Sequence, residues 1–400
     1  MSFISDAINR VQPSPTIGIS QKARSMALSG RKIISLSAGE PDFDTPQNIK
    51  DAANEAIKLG KTKYTNTSGI IELREAIAAK FKRDNNLDVL PENCFVATGG
   101  KQVIFNALVA SLNKNDEVII PSPYWVSYPE IVRFCGAKPV FVKADSDTGF
   151  KINAKMLEAA ITPKTKWLML NSPSNPTGAI YSKDELKELA NVLKNYPNIW
   201  VLSDDIYEQL VYDGAQFATI AQVAPELQNR TLTMNGFSKS HAMTGWRLGY
   251  CTAPSMLIKA MSKLQSQSTG APCSITQWAG VEALNGSQDF LSDWRSEFEK
   301  RRNFVVEQVN QIDGLDCLIP GGAFYVFPSI LPLLGKLSKS GQFLKTDEDF
   351  ISALLEEKGV ALVHGSAFGL AGHIRISYAA SMSDLKNALT LIKQFCDELK

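Results

Sequence analysis

The sequence predicts an α/β protein, with a large domain whose mostly parallel seven-stranded sheet is flanked by helices and a smaller α+β domain formed by both chain ends. Three observations predict it. After Pro91, short apolar runs alternate several times with helical stretches, as in a parallel sheet covered by helices. Towards residue 290 the pattern changes to a long amphipathic stretch followed by a strand-rich tail. No internal repeat or low-complexity tract occurs, so a solenoid is excluded. The expected division is an arm and part of the small domain over 1–45, a large domain over 46–290, and a small carboxyl-terminal domain over 291–400.

Each element has its own local reason. From Pro46 to Gly60 the residues Ile49, Ala52, Ala53, Ala56 and Ile57 recur at helical spacing, with Thr45-Pro46 as a start and Gly60 as a stop. A second helix is expected from near Ser68, with Leu73, Ile77 and Phe81 on one face. The strand runs are Phe95 to Ala97, Val118 to Ile120, Pro139 to Val142, Trp167 to Leu170, Ile199 to Leu202, Thr231 to Met234 and Leu248 to Cys251. Ser182 followed by Glu185 is a capping box that starts the helix after Tyr181. Phe290, Trp294, Phe298, Val305 and Val309 mark the long helix out of the sheet domain. Extended runs at Ala323 to Phe327, Val360 to Val363 and Ile374 to Tyr378 precede a closing helix from about Ser383 to Leu399. Ser329 to Thr346 interleaves Pro, Gly, Ser and Lys and reads as a mobile insertion rather than a core piece.

Composition narrows the function. The chain has 400 residues, 44% hydrophobic and 21% charged, enough for a large core plus a smaller one. Lys and Arg total 42 against 41 Asp and Glu, so no single-sign field draws nucleic acid or an anionic membrane. Small molecules or proteins are the expected partners. The six cysteines lie far apart without Cys-x-x-Cys spacing, and the three histidines form no zinc motif, so neither a disulfide framework nor a metal site is expected. No apolar run approaches the roughly 20 residues that span a bilayer, and the first residues lack a signal pattern, so a cytoplasmic protein is expected.

Ligands of open parallel sheets bind beyond the carboxyl ends of the strands, so the polar residues there come first. Thr98-Gly99-Gly100-Lys101 can offer helix N-terminal N–H groups to an anion, or be a plain strand-to-helix turn. Lys239, flanked by Ser238 and Ser240, lies eight positions before Arg247. Like charge from Arg247 would favour a free amine able to form an imine with an aldehyde, while the guanidinium held a phosphate. Two surface cations on a Gly-Ser loop fit the same spacing. Asp204, ending an apolar run, must be exposed or paired; it could hold a ring nitrogen protonated or cap a turn. The turn Asn171 to Gly178 could aim Asn175 inward, and Trp125 could stack on a planar ring or belong to the core. Arg375, between Ile374 and Ile376, needs an anion, either a substrate carboxylate or an internal Asp or Glu.

Together these segments resemble the fold-type I pyridoxal-phosphate aminotransferases, and most closely the bacterial aspartate aminotransferases of the prokaryotic branch of class I. The motifs are Ser37-Ala38-Gly39-Glu40-Pro41-Asp42-Phe43, Thr98 to Gln102, Tyr124 to Pro129, Asn171 to Gly178, Asp204 to Glu208 and Ser238 to Tyr250. The resemblance runs over nearly the full chain. It implies pyridoxal 5'-phosphate in the large domain, with Lys239 as the Schiff-base lysine that also moves the substrate's α proton. Asp204 is then the partner of the pyridine nitrogen, Asn175 and Tyr207 contacts of the ring oxygen, and Trp125 the stacking ring. The phosphate falls to the Gly99-Gly100 turn, the Lys101 main chain, Ser238 and Arg247, with Tyr64 reaching in from the other subunit of a homodimer that shares its active sites. Relatives often carry a second serine before the lysine; here Gly236 stands there. Arg375 should clamp the α-carboxylate with help from the Gly39 backbone and Asn175, and Lys101 the distal carboxylate. Ile17 and Gly18 of the arm are expected at the entrance. The implied reaction is a reversible ping-pong transfer of the amino group from L-aspartate to 2-oxoglutarate. A bifunctional aspartate/prephenate enzyme or an aromatic or broad-specificity aminotransferase is the alternative.

Overall fold

The computed structural model describes residues 3–400. The strands in chain order are β1 Ile34–Ser35, β2 Cys94–Ala97, β3 Glu117–Ser122, β4 Lys138–Lys143, β5 Thr165–Asn171, β6 Trp200–Asp204, β7 Thr231–Gly236, β8 Gly249–Thr252, β9 Tyr325–Val326, β10 Val360–Ala361, β11 Val363–His364 and β12 Ile374–Ser377. Strands β2 to β8 form one seven-stranded sheet in the order β2-β8-β7-β6-β5-β3-β4. All seven expected apolar runs are in it. Only β8 runs antiparallel to its neighbours β2 and β7. β3 and β5 are buried on both faces, which is why Val118-Ile119-Ile120 and Trp167-Leu168-Met169-Leu170 read as unbroken apolar runs, whereas the equally buried β7 alternates as Thr231-Leu232-Thr233-Met234.

The helices follow the expected periodicities. Gln47–Lys58 buries Ile49, Ala53 and Ala56, and Gly60 turns out of it at φ +68°. The next helix spans Ile71–Asn85 and starts three residues later than expected. Asn66 delays it, because its side chain accepts from the Ser68 N–H and its carbonyl from the Gly69 N–H, closing a turn first. The capping box at Ser182 and Glu185 opens Lys183–Lys194 as the sequence requires. The long helix is Phe290–Asn310.

The smaller α+β unit draws on both ends of the chain. β1 pairs in parallel with β10, while β12 lies antiparallel between β11 and β9, and the closing helix Met382–Asp397 packs on them. The segment 329–346, expected as a mobile insertion, is instead built into this unit. Ile330, Leu333 and Leu344 are buried in its core, and Leu337 exchanges backbone hydrogen bonds with Lys400. Its turn-forming composition masks these three apolar anchors. Among the described residues, no helix is long and apolar enough to cross a membrane, and no cluster of His, Cys, Asp or Glu could hold a metal ion.

Candidate active site

The carboxyl ends of β5, β6 and β7 open into a cavity of about 440 Å³, closed on one side by the small unit and by the helix Pro15–Leu28 of the arm. Gly39, Gly100, Lys101, Trp125, Asn175, Asp204, Tyr207, Ser238, Lys239, Arg247 and Arg375 all line it. Gly99 lies just beneath Gly100, and Tyr64 is fully exposed outside the cavity. Ile17 stands at the mouth, whereas Gly18 does not line it.

One wall is built for an anion. Gly99, at φ +88°, turns the chain from β2 into the helix Gly100–Ser111, whose first N–H groups lack intrahelical partners. Gly249 of β8 passes so close that a Cβ there would overlap Gly100 N and lie 2.5 Å from Gly99 C. Arg247 packs its guanidinium against Gly99 and donates from Nη1 to the Thr244 carbonyl at 2.8 Å. Its own backbone is left-handed, at φ +55°, a conformation disfavoured for a side chain this long. At position 236 a Cβ would lie 2.9 Å from Ile206 Cδ1, so the second serine of related enzymes has no room without a shift of Ile206.

The Lys239 ammonium faces the cavity and donates to the Gly39 carbonyl at 2.6 Å. Burial pushes it down from 10.5 to about 8, and Arg375 and Arg247 add to the drop against the pull of Glu40 and Asp204. The like charge of Arg247, expected to be the cause, is a lesser contributor than burial. Asp204, 4% exposed at the end of β6, accepts from Tyr128 Oη at 2.5 Å and from the Ile206 N–H at 3.3 Å. Burial pushes its carboxyl up to about 6, with Tyr128 and the Ile206 N–H holding it down. Tyr207 Oη lies 2.8 Å from Tyr325 Oη. Tyr128 and Tyr325 are site residues that sequence reasoning passed over. Tyr128 lies within a quoted motif, yet its contact with Asp204 spans 76 positions and has no local signal.

Arg375 of β12 is 3% exposed. Its Nη1 donates to Asn175 Oδ1 at 2.9 Å and its Nη2 to the Ser37 carbonyl at 2.5 Å, while Nε has no partner. Its guanidinium lies over the rings of Tyr325 and Phe368, 4.5 and 5.0 Å from their centroids. Among the described residues no carboxylate pairs with it, so the internal Asp or Glu that the sequence left open is absent. A buried guanidinium held by neutral groups beside a cavity is matched to an incoming anion. Lys101 Nζ stands 5.0 Å from the Trp125 ring centroid, its pKa lowered by burial and then by Arg247.

The sequence pattern of aminotransferase class I and II matches residues 31–392. The chain belongs to this family. As a whole this aminotransferase is 57% identical to the probable aspartate/prephenate aminotransferase of Rhizobium leguminosarum bv. phaseoli, with all of both chains covered. It is 54% identical to the aspartate/prephenate aminotransferase of Cereibacter sphaeroides over 99% of each chain. The crystal structure of the aspartate aminotransferase from Rhizobium meliloti superposes with a TM-score of 0.97 at 51% identity, covering 100% of both chains.

Members of the family depend on pyridoxal phosphate, and the cavity fits that group on chemical grounds. It offers a partly buried amine of lowered pKa at Lys239 and, at Asp204, a carboxyl that among the described residues has no salt-bridge partner. It also offers a helix N-terminus with Arg247 for a phosphate, and a flat wall at Trp125.

Proposed function

We propose that the chain is an aspartate aminotransferase, moving the amino group reversibly from L-aspartate to 2-oxoglutarate to give oxaloacetate and L-glutamate in two half-reactions. The observation that carries this is that Arg375, buried and braced by neutral groups, and Lys101 at the mouth line one cavity with Lys239 and, among the described residues, pair with no carboxylate, while Arg247 is taken up by the phosphate wall. Two cations in one cavity with a reactive amine suit a substrate with two carboxylates. The names of the relatives point the same way, and the aspartate aminotransferase of Thermus thermophilus, 42% identical with a TM-score of 0.92, has been solved with maleate.

Bound pyridoxal phosphate supplies an aldehyde that takes up the amino group and a ring that draws off electrons from the substrate's α carbon. The chain's own residues do the rest. Gly99, Gly100, the Lys101 main chain, Ser238 and Arg247 hold the phosphate, and Trp125 supports the ring. Asp204 keeps a proton on the ring nitrogen, and Tyr128 keeps Asp204 ionised and aimed. Tyr207 and Asn175 meet the ring oxygen. Arg375 binds the α-carboxylate, helped by Asn175 and the Gly39 backbone, and so turns the α C–H towards Lys239. Lys239 Nζ takes the α proton, which its lowered pKa allows near neutral pH. Lys101 reads the distal carboxylate.

In this reading the large cofactor-binding domain spans 46–290, with 1–45 and 291–400 closing over the substrate and excluding water. The enzyme is a cytoplasmic homodimer whose exposed Tyr64 enters the neighbouring active site. A bifunctional aspartate/prephenate enzyme is the second reading, favoured by the two relatives above, which are named as aspartate/prephenate aminotransferases. The test is a panel of aspartate, phenylalanine and prephenate on the enzyme and on Lys101→Ala. Loss of a desolvated charge pair costs on the order of 2 to 5 kcal/mol, so kcat/KM for aspartate should fall roughly 30-fold to several thousand-fold. Phenylalanine turnover should change far less. Equal losses for both would remove Lys101 from its role.

A further inference from the structure

Behind the turn that carries Asp204 and Tyr207 lies a charge pair that touches neither the cavity nor the surface. Lys80, on the helix Ile71–Asn85, is 2% exposed and ion-pairs with Glu208, the residue after Tyr207. Asn85 braces both partners. It accepts from Lys80 Nζ at 2.7 Å and donates from Nδ2 to Glu208 Oε2 at 2.9 Å. Among the described residues no other ion pair buries both side chains so deeply, at 3% and 5% exposure. Asp84 Oδ2, at 4.0 Å from Lys80 Nζ, adds a second carboxylate.

A buried ion pair gives little net stability, because desolvation offsets the attraction and apolar residues of similar volume do as well. What it provides is direction and fixed length. The turn is already tied by Asp205 N–H to the Met234 carbonyl and by Glu208 N–H to the Asp205 carbonyl, each at 2.9 Å. Asp204 and Tyr207 line the cavity, whereas Glu208 reaches back to the helix. Tyr207 and Glu208 share one planar peptide unit, so a shift of Glu208 rotates the phenol in front of it.

We infer that Lys80, Glu208 and Asn85 are positioning residues: their buried pair sets where Tyr207 and Asp204 stand in the cavity. This rests on the roles given above to Asp204 and Tyr207. Other titratable groups face the pair from the same turn and from neighbouring elements. Asp205 is pushed up to about 7 by burial, with Glu208 adding and Lys80 opposing. His241 is pushed down to about 4 by burial, with Lys80 adding. Tyr250 is raised by burial and then by Glu208. These groups feel the pair's charges, so removing one charge alone disturbs them too.

The experiment therefore compares Lys80→Met/Glu208→Leu, which removes both charges, with the isosteric Glu208→Gln. In the cofactor-free protein, hydrogen exchange should quicken about tenfold or more in the peptide covering 204–210 and stay parental elsewhere. In the cofactor-loaded protein, the pH midpoint of the visible absorption band should rise by about half a pH unit or more, because a displaced Tyr207 no longer steadies the ring oxygen. With aspartate, kcat should fall roughly tenfold to a hundredfold while KM changes less than about twofold. Parental exchange at 204–210 and a parental band midpoint in the folded double variant overturn the inference, as does faster exchange spread evenly over the chain. Should the double variant not fold, Glu208→Gln is judged by the same readouts. If the parent does not turn over aspartate, the substrate reading fails while the exchange and absorption readouts still decide this one.

Discussion

Replacing Lys239 by Met in the cofactor-free protein should stabilise it near pH 7 and lose that advantage as the pH rises. The reason is that burial disfavours the charged amine. A drop from 10.5 to about 8 corresponds to roughly 3 kcal/mol at 1.36 kcal/mol per pH unit. The hydrogen bond to the Gly39 carbonyl, worth about 1 kcal/mol, offsets part of it. A net gain of about 2 kcal/mol for the methionine variant at pH 7 follows.

The sign runs with proton binding. Between about 8 and 10.5 the unfolded chain holds a proton on Lys239 that the folded chain has released, so parental stability rises with pH through that window relative to the variant. Below about 8 the cost is present in full. Buried thiols such as Cys94 and Cys317, pushed up to about 12, and buried phenols act in the opposite sense in the alkaline range. They are common to both proteins and cancel in the difference. For 400 residues the unfolding entropy is on the order of 0.8 kcal/mol/K, so 2 kcal/mol is a Tm shift of about 2 to 3 °C. Calorimetry of both cofactor-free proteins at pH 7 and near pH 10 measures it. A Tm difference that does not change with pH would refute the depressed lysine.

Two further outcomes follow from the same cavity. Tyr128→Phe removes the hydroxyl that holds the Asp204 carboxyl down, so the acid limb of the kcat/KM pH profile should move upward and kcat fall roughly tenfold to a hundredfold, a charged hydrogen bond being worth about 1.5 to 3 kcal/mol; an unchanged acid limb would deny Tyr128 its hold on Asp204. Gly249→Ala puts a methyl group into the backbone of the Gly99-Gly100 turn, which cannot give way as a side chain could, so stability should drop by about 1 to 3 kcal/mol and cofactor affinity with it, both readable by equilibrium dialysis and thermal melts.

Much of this was legible in the chain itself, and what was not has a physical reason. The sheet could be read because strands buried on both faces, such as β3 with Val118, Ile119 and Ile120, concentrate apolar residues, and the helix after Tyr181 because capping is a local event. Segment 329–346 misled because Ile330, Leu333 and Leu344 are spaced among turn formers and find their core partners far away in sequence. The cavity-lining residues at strand ends were accessible from topology alone. Their electrostatics were not: the amine of Lys239 is depressed chiefly by burial, which no spacing to Arg247 reveals. Likewise Arg375 could have met an internal acid, and only the fold shows Asn175 and the Ser37 carbonyl there instead.

The bond from Arg375 to the Ser37 carbonyl joins positions 338 residues apart, and β1 adds itself beside β10 in the same region. During synthesis the sheet from β2 to β8 can assemble before β9 to β12 have been added, yet the Ser37 carbonyl has no Arg375 to meet until β12 leaves the ribosome. A nascent chain that stops short of β12 holds the Gly99-Gly100 turn and Arg247 ready while the Arg375 side of the cavity is still missing.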